Sequence, residues 1–239
     1  MKCSKCGGEW IPPPGVNLVK CPFCNEPLMT TAPDSSPNSG ETIQFGKYKW
    51  RVLDVQNNKI LIITEDIIEI RPYDAEFTDE TWETCTLRQY LNGEFLHKFT
   101  EEEQKRIAET KIHNSNNQWY GTWGGKDTYD KVFLLSLEEA DRYFGGGGDY
   151  INERRKEYDF DNAAFNADGG GSCYSNAYDD RRQAKYGSEM SFWWLRSPGI
   201  LGSSAAFVFD NGGVGVFGLD NYSILDVICG VRPVLWLNV

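Results

Sequence analysis

Four cysteines near the start of the sequence are the residues best placed to do chemistry. They form two Cys-x-x-Cys pairs, Cys3 with Cys6 and Cys21 with Cys24, and fourteen residues separate the two pairs. Two such turns can place four thiolates tetrahedrally around one Zn2+. Because four thiolates leave no open coordination position, we predict that the zinc is structural and not catalytic. A redox-active Cys-x-x-Cys is the alternative, but it accounts poorly for two pairs at this spacing.

We predict that the residues around these cysteines form a small separate domain. Residues 1–30 have the pattern of a zinc ribbon, with an interval between the pairs just below the usual range. Residues 31–40 are rich in Pro, Ser and Asn and offer almost nothing apolar to bury, so we predict a flexible linker there. Residues 41–239 then form a second domain, long enough to bury a core of its own.

Composition argues against some classes of partner. The 239-residue chain has a net charge of -11, whereas nucleic-acid binders normally carry a basic face, so we expect no nucleic-acid partner. No apolar run is long enough to span a bilayer and no signal peptide is evident, so we expect a cytoplasmic protein, or one carried in a virion if a phage encodes it. The other three cysteines are scattered, which fits a reducing compartment better than a disulfide framework. The oligomeric state is not indicated.

Alternating apolar residues predict a β-hairpin at the start of the second domain. Its strands cover residues 43–52 and 59–64, and Asn57-Asn58 supplies the turn between them. Much later, residues 149–191 are polar and rich in Asp, Asn, Arg and Tyr, so we predict a long surface insertion there.

Helical spacing and capping signals predict three helices between the hairpin and the insertion. Residues 86–91 carry apolar side chains at helical spacing, and Thr100 with Glu103 forms a capping box for a second helix. Residues 132–137 predict a strand, and a short helix follows over residues 137–144.

Side chains that usually serve nucleophilic or acid–base catalysis do not form a recognisable constellation. The two histidines, His97 and His113, sit in unlike contexts, and the sequence contains no His-x-x-x-His or Gly-x-Ser-x-Gly motif. Cys173 and Cys229 lack a convincing histidine partner, so a structural role is the better interpretation of both. We therefore expect a protein that is not an enzyme.

Two aromatic blocks, residues 192–199 and 230–237, bracket a segment of unusual composition. Each block contains one arginine, Arg196 or Arg232, and one proline, and both blocks are predicted to be buried strands of one sheet. The two arginines are expected to hold the sheet and its loops together, because a buried arginine needs carbonyl or carboxylate partners.

The segment between these blocks, about residues 200–229, contains no Lys, Glu, Gln, Met or Trp. Average usage makes that absence unlikely by chance, on the order of one in a thousand. A buried β-meander would also lack long charged side chains, and this interpretation stays open. The apolar residues do not alternate regularly, however, as those of a two-layer sheet should.

The two blocks, written FWWLRSPG and GVRPVLWL, resemble a bacterial family of uncharacterised domains (DUF6273-like). Residues 45–53, 87–92 and 132–136 share this resemblance, which covers about residues 41–239. The resemblance implies an α+β domain with a C-type lectin-like fold, similar to formylglycine-generating enzymes, preceded here by the small four-cysteine zinc ribbon. It also implies a relation to the target proteins of diversity-generating retroelements.

In such retroelements a reverse transcriptase miscopies adenines. Each AAC codon in the target gene can then change into codons for many other residues, but never into a codon for Lys, Glu, Gln, Met or Trp. The resemblance therefore implies a ligand-binding protein whose variable region, about residues 200–229, contacts a protein ligand. The positions implied to vary and to contact the ligand are Ile200, Leu201, Ser203, Ser204, Phe207, Phe209, Asp210, Asn211, Val216, Phe217, Leu219, Asp220, Asn221, Ser223, Ile224, Leu225, Asp226 and Val227. Further candidates for variation are Gly202, Gly213, Gly215 and Ile228. The positions that match a constant scaffold are Ala205, Ala206, Val208, Gly212, Val214 and Gly218.

If they are exposed, Phe207, Phe209, Phe217 and Ile224 would form an apolar patch of the kind that marks a binding site. Two alternatives remain. The protein could be a non-diversified adaptor whose zinc ribbon recruits a partner. Less favoured is an oxidase of the formylglycine-generating type, which needs paired cysteines near the C-terminus, where Cys229 has no close partner.

Overall fold

The computed structural model describes residues 6–8, 24, 39–76, 78–144, 173–174, 177–220 and 229–239. The chain divides into two compact units, residues 1–36 and 37–239, and the division falls inside the segment predicted to be a linker. Most of the first unit lies outside the described residues, so the architecture below is that of the second.

A five-stranded antiparallel sheet joins the beginning and the end of the second unit. In spatial order its strands are β1 (Thr42–Phe45), β2 (Tyr48–Gln56), β3 (Lys59–Thr64), β15 (Val234–Asn238) and β5 (Ile107–Ala108). The first predicted strand, residues 43–52, is wrong as a single strand, because a turn at Gly46 and Lys47 divides it into β1 and β2, which pair with each other. The predicted hairpin is confirmed for β2 and β3. Asn57 and Asn58 form its turn with φ angles of 49° and 60°, and positive φ at both residues matches the twist of the paired strands.

A six-stranded sheet contains most of the second half of the chain. In spatial order its strands are β4 (Glu69–Ile70), β14 (Cys229–Val231), β11 (Phe192–Pro198), β12 (Ser204–Val208), β13 (Val214–Asp220) and β8 (Cys173–Tyr174). Strands β11 and β14 are parallel, and the other neighbours are antiparallel. Both sheets contribute to one continuous hydrophobic core, with Trp50 and Ile62 from the first and Trp193 and Val208 from the second. The unit is thus mixed α+β and mostly sheet.

Short helices and two hairpins connect the sheets. The helices are α1 (Thr86–Tyr90), a π-helical turn (Leu91–Phe95), a 3-10 turn (Leu96–Lys98), α2 (Glu101–Arg106), α3 (Leu137–Phe144) and α4 (Asp179–Arg182). The hairpins pair β6 (Thr110–Ile112) with β7 (Thr128–Asp130) and β9 (Lys185–Tyr186) with β10 (Glu189–Met190). The three predicted helices are confirmed, and Thr100 and Glu103 form the expected capping box.

Two predictions about local structure are wrong. Residues 132–136 make only one isolated bridge, between Phe133 and Val234, because this stretch passes from one sheet to the other. Phe133 bonds to β15 of the first sheet, whereas the Leu135 carbonyl accepts from Arg196 N of the second at 2.9 Å. The predicted surface insertion is wrong for its described end: residues 149–172, 175 and 176 lie outside the described residues, and Arg182 is completely buried.

The sequence had predicted that the two aromatic blocks lie in one sheet, and this prediction is wrong. The second block divides, because β14 belongs to the six-stranded sheet and β15 belongs to the five-stranded sheet. Arg232 occupies the crossover with no exposed surface. Its guanidinium donates to the carbonyls of Thr64 at 2.8 Å, Glu65 at 3.1 Å and Arg182 at 3.3 Å, and it lies 5.0 Å from the Trp193 ring centroid.

The expected scaffold role of both arginines is confirmed by these contacts and by those of Arg196. The Arg196 guanidinium donates to the carbonyls of Leu134 at 2.7 Å and His113 at 3.2 Å, and it forms an ion pair with Glu139. Glu139 also accepts a hydrogen bond from Ser136 N at the start of α3. One carboxylate therefore joins a helix start to a buried strand.

We predict that this ion pair makes the protein sensitive to acid. Burial disfavours the charged carboxylate, but Arg196 and the Ser136 N–H together hold the pKa of Glu139 below its usual value. A carboxyl group with a lowered pKa in the folded state stabilises the fold fully above its unfolded pKa of about 4.3, and the effect disappears as pH falls through the folded pKa.

Glu139→Gln should therefore lower the free energy of unfolding by about 3 kcal/mol at pH 7, because it leaves a buried guanidinium without its counter-charge. It should also flatten the loss of stability below about pH 4.5. Urea denaturation at several pH values measures both effects, with Glu102→Gln on an exposed helix surface as control. Equal behaviour of the two variants would contradict the prediction.

Candidate binding face

The segment expected to bind a ligand forms β12, β13 and the turns at the two ends of β12. Residues 199–203 join β11 to β12, and residues 209–213 join β12 to β13. Leu201 in the first turn is 57% exposed, and Asp210 and Asn211 are exposed in the second. The exposed candidates therefore lie at opposite ends of one strand rather than in a single row.

Four of the expected contact positions are buried instead: Ser203, Ser204, Phe207 and Val216. Ser204 and Phe207 lie on β12 and Val216 on β13, both inner strands of the six-stranded sheet, and Phe207 and Val216 pack into the hydrophobic core. A side chain inside the molecule cannot touch a ligand, so the expectation of ligand contact is wrong for these four. Ile200, Phe209, Phe217 and Leu219 are half-buried.

The three phenylalanines expected to form an exposed apolar patch, Phe207, Phe209 and Phe217, pack against one another in a cluster. Phe207 is its covered centre, with no exposed surface, and its ring centroid lies 4.6 Å from that of Phe209 and 5.6 Å from that of Phe217. Phe192 of β11 completes the cluster at 5.7 Å from Phe207. The rest of the expected positions lie outside the described residues: Asn221, Ser223, Ile224, Leu225, Asp226, Val227, Ile228 and the side chain of Asp220.

Glycines restrict where the segment can change. Gly212 and Gly218, which matched the constant scaffold, have φ angles of 87° and 83°, a region that other residues rarely adopt. Gly215 was a candidate for variation, but a Cβ built there would lie 2.4 Å from the Phe207 ring. Any larger residue at this position would displace the centre of the phenylalanine cluster.

Side chains from elsewhere in the chain hold the segment by its backbone. Asn117 donates to the carbonyls of Pro198 at 2.8 Å and Val216 at 2.9 Å. Thr122 Oγ1 donates to the Ile200 carbonyl at 3.0 Å, and Arg182 Nε donates to the Gly212 carbonyl at 2.7 Å. These bonds do not depend on which side chain the segment carries at the bonded position.

Asn117 is a buried supporting residue of this face that the sequence had not indicated. It is 1% exposed, and its Oδ1 accepts from the backbone N–H of Trp119 at 2.9 Å and of Tyr120 at 3.2 Å, which closes its own loop. The sequence showed only a polar, aromatic stretch, residues 113–131. The Asn-Ser-Asn-Asn run at residues 114–117 was the available signal, since asparagine readily caps turns of this kind.

Among the described residues, groups with catalytic potential include an exposed cluster around Asp127 and two buried thiols. His113 Nδ1 lies 2.7 Å from Asp127 Oδ1, and Lys111 Nζ lies 2.8 Å from Asp127 Oδ2, on an exposed surface. Lys111 and then His113 lower the pKa of Asp127 to about 2. Burial raises the pKa of the Cys85 thiol to about 12 and that of Cys229 well above its usual value, which disfavours the reactive thiolate form of both.

Two of the four cysteines expected to bind zinc can be placed. Cys6 and Cys24 are exposed, and Cys6 precedes Gly7, whose φ of 73° suits the tight turn after a thiolate ligand. Cys3 and Cys21 lie outside the described residues. Within the described ranges, no three His, Cys, Asp or Glu side chains converge as metal ligands, and no helix is long and apolar enough to cross a membrane.

Comparison with known proteins places most of the chain in one family. Residues 57–239 match the family described as Domain of unknown function (DUF6273). No curated protein and no solved structure matches the chain.

We predict that two apolar positions of the segment respond differently to truncation. Phe207→Ala should lower the free energy of unfolding by about 3–5 kcal/mol, because it empties the centre of the phenylalanine cluster. Leu201→Ala should change it by no more than about 0.5 kcal/mol, because most of that side chain already faces solvent. Urea unfolding followed by tryptophan fluorescence measures the free energy of unfolding of both variants. A large decrease for Leu201→Ala would contradict the prediction.

Proposed function

The chain belongs to the DUF6273 family of domains of unknown function, and from its geometry we propose that it is a ligand-binding protein that displays interchangeable side chains on a rigid scaffold. The ligand is a protein. The proposal retains the composition argument for residues 200–229 and limits it to the positions from which a side chain can reach solvent.

The observation that carries the proposal is the way the scaffold holds the segment. Asn117, Thr122 and Arg182 all bond to backbone carbonyls of the segment or of the strand entering it. The side-chain hydrogen bonds of Ser204 and Asn211 stay within the segment. A binding surface that tolerates substitution needs this property, because a changed side chain then breaks no bond to the scaffold.

The exposed and half-buried positions define the surface that we assign to ligand contact. Leu201, Asp210 and Asn211 are exposed. Four further positions are half-buried and partly accessible to solvent: Ile200, Phe209, Phe217 and Leu219. Phe207 and Val216 belong to the scaffold by virtue of their burial. We further propose that a diversity-generating retroelement varies the accessible positions, since the whole segment avoids the five residue types that adenine changes in AAC codons cannot produce.

The C-type lectin-like fold is part of the same proposal. Pairing of the last strand, β15, with β3 near the beginning of the domain supports it. The six-stranded sheet, built largely from the chain between these two strands, would then carry the binding loops. Loops supported by such a sheet can change in sequence while the sheet keeps its hydrogen bonds.

We also propose that Cys3, Cys6, Cys21 and Cys24 hold one structural zinc ion. The donor set supports this, because four thiolates in two Cys-x-x-Cys pairs satisfy tetrahedral zinc without any other ligand. When bound, the metal would supply folding energy to the small N-terminal unit and no chemistry.

Sequencing of the gene and its surroundings tests the diversification. We expect a reverse-transcriptase gene nearby and a near-copy of the 3′ end of this gene that differs only at adenines. Between copies of the gene, substitutions should fall at Leu201, Asp210 and Asn211 and spare Phe207 and Val216. Absence of the near-copy, or equal substitution at buried positions, would favour a non-diversified adaptor.

Metal analysis of the purified chain tests the zinc site. We expect about one zinc per chain, lost on chelation and in a Cys6→Ser, Cys24→Ser double variant. A Cys85→Ala, Cys229→Ala double variant, which alters two buried thiols, should keep the metal. Zinc retained after loss of Cys6 and Cys24 would refute the assignment.

A further inference from the structure

Three loops converge beside the first exposed turn of the segment, and we call them the loop face: residues 78–84, 121–126 and 199–203. Glu80 N donates to the Gly202 carbonyl at 3.1 Å, and Thr122 Oγ1 donates to the Ile200 carbonyl at 3.0 Å. Lys126 N donates to Glu83 at 3.2 Å, which closes the set. The loop face therefore combines two loops from outside the segment with one from inside it.

Trp123 stands out on this loop face because 57% of its surface is exposed, the same fraction as for Leu201. Its neighbour Thr122 bonds to Ile200, the neighbour of Leu201, so the two large apolar side chains are carried by adjoining backbones. Large aromatic side chains exposed in this way are typical anchors of protein interfaces.

The position of Trp123 on the loop face is fixed by its own loop. Gly121 and Gly125 have φ angles of 75° and 92°, and a Cβ built on Gly124 would lie 2.2 Å from the Ser115 carbonyl oxygen. Only glycine satisfies these requirements without strain. The backbone that carries Trp123 is thus held in place, and Trp123 lies outside the segment that we propose to vary.

Negative charge borders the apolar part of the loop face. Asp79 lies against Gly202, where a Cβ would be 2.8 Å from the carboxyl carbon, and Glu80 follows it. A cation of the loop face, Lys126, lies 3.6 Å from a different carboxylate, that of Glu83. No ion pair joins Asp79 or Glu80 to another residue in the part of the chain that the structure describes, so their charge remains for a partner.

We infer that Trp123 is the fixed anchor of the binding face, and that its partner is a protein segment presenting Lys or Arg beside an apolar side chain. The inference rests on the proposed ligand-binding function and adds to it a constant contact residue and the chemistry of the ligand. The apolar side chain packs on Trp123 and Leu201, and the cation lies against Asp79 and Glu80.

Selection of peptides on the intact chain tests this inference. The probe is a phage-displayed library of random peptides of about a dozen residues, panned on the immobilised protein. We expect enriched peptides that place Lys or Arg beside Leu, Phe or Trp. Their affinity should fall about tenfold or more with Trp123→Ala, and several-fold with Asp79→Asn plus Glu80→Gln or on raising salt from about 50 to about 500 mM.

Matched control variants distinguish binding at the loop face from nonspecific binding elsewhere on the protein. Tyr186→Ala removes an exposed aromatic ring from the β9–β10 hairpin, and Glu101→Gln plus Glu102→Gln removes two exposed carboxylates from α2. Both controls should bind the enriched peptides unchanged. All variants are first compared with the original chain by thermal unfolding, so that a folding defect is not taken for lost binding.

The outcomes also separate the two proposals. Peptides that need Leu201 but not Trp123, Asp79 or Glu80 would overturn this inference and leave the proposed function standing. If the affinity of the enriched peptides changes neither with Leu201→Ala nor with Trp123→Ala, the result would count against both proposals. Enrichment of acidic peptides, or no enrichment at all, would overturn the inference alone, because sequencing of the gene judges the diversification separately.

Discussion

The guanidinium of Arg232 lies where the chain leaves the six-stranded sheet and enters the five-stranded one, and the relation between the two sheets depends on it. A buried cation is tolerated only when its donors are satisfied, and here the carbonyls of Thr64, Glu65 and Arg182 accept from it. Those carbonyls come from the end of β3 and from α4. One side chain therefore fixes three parts of the chain that are far apart in sequence.

The same network reaches the proposed binding surface through Arg182. Its carbonyl accepts from Arg232 and from Trp193 Nε1 at 3.0 Å, while its own guanidinium donates to Gly212 in the turn that follows β12. The crossover and the turn are thus joined by one residue. At the other end of β12, Asn117 takes the corresponding place. Both residues bond to carbonyl groups, so these bonds do not depend on the side chains that the two turns carry.

The sequence had left two interpretations of the segment of unusual composition open, a buried β-meander and a displayed variable surface. Phe207 and Val216 are buried, whereas Leu201, Asp210 and Asn211 are exposed. Absence of long charged side chains is compatible with either, because a buried strand excludes them by desolvation and a biased codon excludes them by genetics. Composition alone cannot separate the two, and only the burial of each position does.

Local features followed from the sequence because each depends on neighbours along the chain. The Asn57-Asn58 hairpin and the Thr100 capping box are recognised within a few residues, and each Cys-x-x-Cys pair is as well, whereas the match to a family pattern extends over residues 57–239. The tertiary structure alone decided that the second aromatic block divides between two sheets, that Asn117 supports the backbone around β12 and β13, and that Phe207 is covered while Leu201 is exposed. These outcomes depend on contacts between residues far apart in sequence, and the type of a residue does not tell which of its possible partners the fold brings to it.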